Sequence, residues 1–252
     1  MNVLEFAFLV LAGIGAGLSG SIAGLASLVS YPALLATGIP PVTANVTNTV
    51  ALVLNAVGSV SASRPELRGQ GRRVRPLLVA ATLGGTTGAA LLLLTPTEAF
   101  ERIVPWLIAF ASVAILVQRP PRELAAEAAG HARDPRWLPV GTFAVTIYGG
   151  YFGAAAGVLL LAMYLLTTGE KLPRSNAMKN LVLGVANGIA ALAFVVLADV
   201  AWSAALPLAI GFFAGGRIGP RVVRRAPQAA LRTLIAVAGL GLAVHLGVQA
   251  YT

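Results

Sequence analysis

The fold class this sequence predicts is an all-α polytopic membrane protein made of two inverted repeats. Each repeat is a Gly-broken helical segment, re-entrant or discontinuous, followed by three transmembrane helices. Three observations predict it: a deficit of charge, long runs without any ionisable residue, and an internal repeat whose equivalent loops carry opposite charge. Of 252 residues, 57% are hydrophobic and only 11% charged, against roughly 25% charged in soluble domains. A chain of this length folded in water would lack polar surface, and disorder needs low hydrophobicity. The absence of Cys excludes disulfides, thiolate metal sites and Cys nucleophiles, and no cofactor or metal site is expected.

Residues 6–63 contain no Asp, Glu, Lys, Arg or His, and further uncharged runs cover 76–97, 103–118, 137–169, 180–198 and 200–216. The last run, 233–252, is interrupted only by His245. Crossing the bilayer core takes about 20 apolar residues, so the first run holds at least two passes. Backbone in lipid must satisfy its own hydrogen bonds, and solidly apolar runs do so as helices rather than as an alternating β-barrel. The first residues, MNVLE, lack the basic start of a secretory signal, so none is expected. The net charge of +9 comes from Arg in short loops between apolar runs. That is cytoplasmic anchoring and not a face for nucleic acid.

Six of the seven Asn fall in two clusters, Asn45, Asn48, Asn55 and Asn176, Asn180, Asn187. A shift of 132 superposes Pro41 on Pro173, Asn48 on Asn180 and Asn55 on Asn187. A shift of 133 pairs Gly17, Gly20 and Gly24 with Gly150, Gly153 and Gly157. A shift of 131 pairs Pro76, Gly84, Gly85 and Gly88 with Pro207, Gly215, Gly216 and Gly219. The same order with drifts of one residue argues for a repeat. Residues 1–118 form the first transmembrane repeat, 119–137 a charged cytoplasmic linker, and 138–252 the second repeat. The loop after the first Asn helix is basic (Arg64, Arg68, Arg72, Arg73, Arg75), whereas its partner holds only Asp199. The next loop is acidic (Glu98, Glu101, beside Arg102), whereas its partner is basic (Arg217, Arg221, Arg224, Arg225). Opposite signs at equivalent places are the expectation for inverted topology.

The segments 4–37 and 138–168 are over-long and have Gly clusters at their centres. Read as hairpins that return to their own side, they leave three crossings per half. All basic loops, 64–75, 119–136, 170–179 and 217–225, are then cytoplasmic. A full-span reading of these segments places the 217–225 loop outside, against the positive-inside rule.

A half-helix starting at mid-membrane aims free N–H groups at the protein centre. Gly17, Ser19, Gly20 and Ser21 in one half and Gly150 and Gly153 in the other are the candidate anion-binding residues of the two breaks. Gly20 and Gly153 are expected to open the second half-helices. Gly24, a turn deeper, should tolerate a methyl better than Gly20 tolerates a branched side chain. The competing reading is small-residue packing. Asn45, Asn48 and Asn55 share one helix face, as do Asn176, Asn180 and Asn187. Both faces point into the bundle, as substrate contacts or as interhelical glue. Lys179 could neutralise an anion, although a snorkelling anchor is the plainer reading. Anchoring is also the plainer reading of Arg217. No carboxylate lies within a run, which argues against proton exchange on an acid. His245 reads as a packed or interfacial side chain.

The stretches GLSGSIAGLASLVSYPALLATGIPPVTANVTNTVAL (17–52) and YGGYFGAAAGVLLLAMYLLTTGEKLPRSNAMKNLVLGVAN (148–187) resemble the two signature regions of the TauE/SafE family of sulfite and organosulfonate exporters. The resemblance extends to GGTTG (84–88) and GGRIG (215–219). It implies a permease of the bacterial inner membrane that moves small sulfur-containing anions outward. Its partners are that small anion and the lipid bilayer, with no nucleic acid, and a homo-oligomer is compatible with the pattern. Ser19 and Ser21 meet Phe152 and Ala154 in the repeat, so the halves are expected to contribute unequally to a ligand. Gly17-Leu18-Ser19-Gly20 also matches a GxSG nucleophile pattern, so the competing reading is an intramembrane serine protease using Ser19 and His245. A non-transporting scaffold is disfavoured, because buried Asn and broken helices are costly in lipid.

The loop charges place both termini in the periplasm. In a chain without native Cys, a single Cys near Thr252 should react with an impermeant thiol reagent on intact cells. Reaction only after permeabilisation would refute the hairpin topology.

Overall fold

The computed structural model describes residues 2–118, 123–124, 135–222 and 228–251, and among these every regular element is a helix. In chain order they are α1 (Val3–Ala23), α2 (Ala26–Ala36), α3 (Pro41–Ala62), the short α4 (Arg64–Leu67), α5 (Gly71–Leu94), α6 (Thr97–Val117), α7 (Leu138–Tyr151), α8 (Ala156–Thr168), α9 (Leu172–Leu197), α10 (Trp202–Val222) and α11 (Gln228–Tyr251). Most of the 119–136 linker, together with Arg224 and Arg225, lies outside the described residues.

Local sequence explains the ends. Asn2, the one Asn outside the two clusters, caps α1 in a reciprocal box: its side chain accepts the Glu5 N–H at 2.8 Å, and Glu5 accepts the Asn2 N–H at 3.0 Å. Proline opens α3 at Pro41 and α9 at Pro173, where its missing N–H costs nothing. Among the described residues four helices, α1, α5, α6 and α9, are long and apolar enough to cross a membrane. The 22-residue α3 is long enough but carries three Asn and three Thr.

The expected break in the middle of residues 4–37 is displaced. α1 runs unbroken through Gly15, Gly17 and Gly20, about 31 Å at 1.5 Å per residue, and the chain turns only at Gly24–Leu25. The reason is packing. Gly13 lies against Leu208 and Gly211 of α10, and Gly17 against Phe212 and Gly216. These glycines let two backbones approach and do not interrupt the helix.

The contacts also set directions. Positions along α1 and α10 rise together, so the two run parallel. Thr47 accepts the Ala201 N–H at 3.0 Å, and Gly58 lies against Phe213 and Arg217, so α3 is parallel to α10 as well. α1 and α3 therefore point the same way, and α2 with the 37–40 turn carries the chain back between them. α5 and α7 form a second parallel pair, with Gly84 against Thr146 and Gly88 against Ile147 and Tyr151. α3 and α9 run antiparallel: Gly184 faces Ala56, while Val50 and Leu54 share a groove with Gly188 and Val195. Residues 1–118 and 138–252 thus interlock. α1 packs chiefly on α10, α5 on α7 and α6 on α11, and one apolar core runs through both stretches.

The helix-pair glycines should sort by neighbour. Gly88→Ala places a methyl against the backbone of Ile147 and Tyr151 and should destabilise by about 1–3 kcal/mol. Gly15, exposed with open space around it, should accept Ala within about 1 kcal/mol. Thermal melting of the two purified variants in detergent checks the order.

Candidate functional site: a polar cavity between two helix breaks

α1 ends where Gly24 turns to φ +80°, with its N–H on the Gly20 carbonyl at 2.8 Å and the Leu25 N–H on Ser19 at 3.3 Å. The left-handed conformation favours Gly. α7 ends as the Phe152 and Gly153 N–H groups both bond the Tyr148 carbonyl at 3.0 Å. Gly153 (φ +79°) and Ala155 (φ +61°) turn the chain into α8, while the Tyr148 hydroxyl donates to the Ala154 carbonyl at 2.7 Å. A left-handed alanine costs about 1–2 kcal/mol, held here by that hydroxyl and by burial. Neither α2 nor α8 has a side-chain cap on its first turn.

The two breaks meet. Gly24 and Gly157, equivalent by the 133-residue shift, lie backbone against backbone. Around them is a cavity of about 40 Å³, lined by Ala26 and Ser27 at the start of α2 and by Ala156 and Gly157 at the start of α8. Space of about 10–15 Å³ already suffices for one water. Asn55 of α3 and Asn180 and Asn187 of α9 complete its polar wall with Ser59 and Thr49, and Gly20 and Gly153 also reach it. Among the described residues no carboxylate lines it. The Asn55 side-chain oxygen is buried without a hydrogen-bond partner.

Of the expected site residues, Gly20, Gly153, Asn55, Asn180 and Asn187 come together here. The others lie elsewhere. Gly17 and Gly150 are helix contacts, the latter against Gly85 and Ala89. The hydroxyls of Ser19 and Ser21 donate to their own helix, at Ala16 (3.1 Å) and Leu18 (3.2 Å). Asn48 is held by α2, accepting from Ser30 at 2.6 Å and donating to Ser27 at 3.1 Å. Asn45 donates to the Tyr151 carbonyl at 2.9 Å, and Asn176 donates to the Ser21 carbonyl at 2.8 Å. Each of these two Asn thus ties down the broken helix end of the opposite stretch. Asn180 adds a longer bond to Ser21 at 3.3 Å.

Three expectations need correction. Gly20 does not open a half-helix: it lies inside α1 against Ala26 and Asn55. Gly24 is the more constrained glycine, through its φ and its contact with Gly157. Lys179 does not snorkel: it is fully buried, and its ammonium donates to the Gly20 carbonyl at 2.9 Å. The carbonyl end of α1 carries partial negative charge, which suits a basic group there. Arg217, by contrast, is exposed and donates to Ser61 at 3.1 Å, as an anchor would. Ser27, Thr49 and Ser59 were missed. Ser59 stands one turn beyond Asn55, so its i+4 spacing was a usable signal. All three hydroxyls belong to the first stretch, whereas two of the three cavity amides, Asn180 and Asn187, belong to the second. Ser19 is buried in α1 and His245 exposed on α11, which offers no catalytic pair.

Fold and cavity together define a multi-pass helical membrane protein with a polar centre between two broken segments. Residues 9–246 match the sulfite exporter TauE/SafE family, and the chain belongs to it. It is 28% identical over 240 residues to the probable membrane transporter protein YfcA of Escherichia coli K12, covering 92% of this chain and 85% of that one. It is 25% identical over 245 residues to the probable membrane transporter protein ORF9 of Sinorhizobium, covering 95% and 91%. A probable membrane transporter protein of Haemophilus influenzae is 24% identical over 241 residues, covering 92% and 90%. No solved structure matches. The chain is therefore a membrane transporter, a permease and not an enzyme.

Gly24 and Gly38 separate conformation from contact. Both have φ near +80°, but only Gly24 has a neighbour where a Cβ would stand. Alanine costs about 1–2 kcal/mol of backbone strain at either position. Gly24→Ala adds a clash with the Gly157 backbone, so it should lose far more melting temperature and transport than Gly38→Ala. Equal losses would refute the Gly24–Gly157 contact.

Proposed function

We propose that this permease exports small sulfur-containing anions, such as sulfite or organosulfonates, across the bacterial inner membrane, and that the anion binds in the cavity between the two breaks. The observation that carries this reading is the convergence of two uncapped helix starts with the amides of Asn55, Asn180 and Asn187 on one cavity free of carboxylates. First-turn N–H groups and neutral donors favour an anion without a full counter-charge. The substrate class comes from the family description, that of a sulfite exporter.

The two stretches, 1–118 and 138–252, are proposed to be inverted repeats joined by the linker 119–137. The reciprocal packing of α1 on α10 and α7 on α5, and the antiparallel course of the equivalent helices α3 and α9, support this. Inverted halves with a site at their interface suit alternating access. The parallel course of α1 and α3 supports hairpins that return to their own side.

Sulfite flux in proteoliposomes tests the reading. Asn187→Leu, which removes a cavity amide, should reduce flux at least tenfold. Lys179→Gln should weaken it without abolishing it, since Lys179 holds the end of α1 and lies outside the cavity lining. Normal sulfite flux in Asn187→Leu and Asn55→Leu would remove the site from this cavity. Absence of sulfite and sulfonate flux in the wild type would remove the substrate class.

A further inference from the structure

A second feature lies outside the cavity between the breaks and is independent of it. Three loops far apart in sequence converge where α5, α7 and α9 begin. They border an open cavity of about 520 Å³ whose lining, among the described residues, holds Arg68, Arg72, Arg73, Arg136 and Arg174 and one acid, Glu170. Glu170 accepts from Arg73 at 2.7 Å and from Arg174 at 3.3 Å. Partial burial works against its charge, but these bonds and one from Gln70 outweigh it and hold the carboxyl below its ordinary value of 4.5. It remains an anion at neutral pH and uses up one positive charge. Arg68, Arg72 and Arg136 have no carboxylate partner among the described residues.

Among the described residues, five guanidinium groups stand against one carboxylate around this cavity, an excess of positive charge. Such a cluster repels itself and raises the local concentration of anions. The N-terminal ends of α5, α7 and α9 add to the same field, and none has a side-chain cap. Guanidinium forks match tetrahedral oxyanions with paired hydrogen bonds. Trp137, next to Arg136 and 52% exposed, is the side-chain type that settles at the level of lipid headgroups.

We infer that this arginine-lined cavity binds a phosphate-class oxyanion, separately from the transported anion. Two sources share that chemistry: the headgroup of an anionic phospholipid and a free oxyanion from the aqueous side. Basic pockets between transmembrane helices suit the first.

The test uses full-length protein in neutral detergent. Thermal melting is followed against phosphatidylglycerol in mixed micelles, phosphatidylcholine in the same micelles, and inorganic phosphate. A ligand that binds only the folded protein raises its melting temperature. Phosphatidylglycerol or phosphate should stabilise the wild type, and phosphatidylcholine should not. The double variant Arg72→Gln/Arg136→Gln alters exposed side chains, so its ligand-free melting should match the wild type. It should bind roughly 25-fold more weakly, about fivefold for each arginine. Arg75→Gln, an exposed arginine on the same helix outside the cavity lining, should respond like the wild type. A response to phosphatidylglycerol alone identifies a lipid site, and a response to phosphate identifies a soluble oxyanion. The inference fails if neither ligand stabilises the wild type, if phosphatidylcholine does so equally, or if the double variant responds undiminished. Sulfite flux is measured in parallel: its loss in Asn187→Leu concerns the other cavity and leaves this result untouched.

Discussion

The backbone contact between Gly24 and Gly157 is the constraint on which the centre of the molecule depends. Gly24 sits at the turn after α1 and Gly157 in the first turn of α8, and each occupies the space where the other's Cβ would stand. Only with both side chains absent can the starts of α2 and α8 approach closely enough to share one cavity. A methyl at either position would meet the other's backbone and push the segments apart.

Around that contact the polar groups are spent on holding helix ends. Broken helices leave carbonyls that lipid cannot satisfy. Asn45 supplies a donor to the end of α7, and Asn176 and Asn180 supply donors to the end of α1, with Lys179 beside them. The donors come from the opposite stretch of chain in each case, so neither broken segment is completed by its own half. The alternatives of glue and substrate contact are thereby divided along each helix: Asn45, Asn48 and Asn176 hold backbone or hydroxyls, whereas Asn55 and Asn187, further along α3 and α9, reach the cavity.

The two cavities differ in kind. The central cavity offers dipole ends and neutral amides; for the anion proposed to bind there, such a field is weak enough to allow release, as passage across a membrane requires. The arginine-lined cavity offers full charges, which suit the more lasting ligand proposed for it.

The class of protein was legible in the residues because lipid imposes a coarse rule: uncharged runs must be helices. The Asn clusters and the paired glycines were legible for a similar reason, since duplicated polar and small residues stand out against an apolar background. The family resemblance followed from the same stretches. Which glycine breaks a helix was not legible. Gly13, Gly17, Gly20 and Gly24 look alike in sequence, and the structure separates them: Gly13 and Gly17 lie inside the helix against α10, while Gly24 takes the left-handed turn against Gly157. Likewise, a lysine a few residues into α9 reads as an anchor until α1 is placed beside it, when its ammonium becomes the partner of a helix end. Local sequence determined which segments are helical and which faces are polar. Tertiary structure decided which helix end each polar group meets, because those partners lie more than 100 residues away, as from Asn45 to Tyr151 or Lys179 to Gly20.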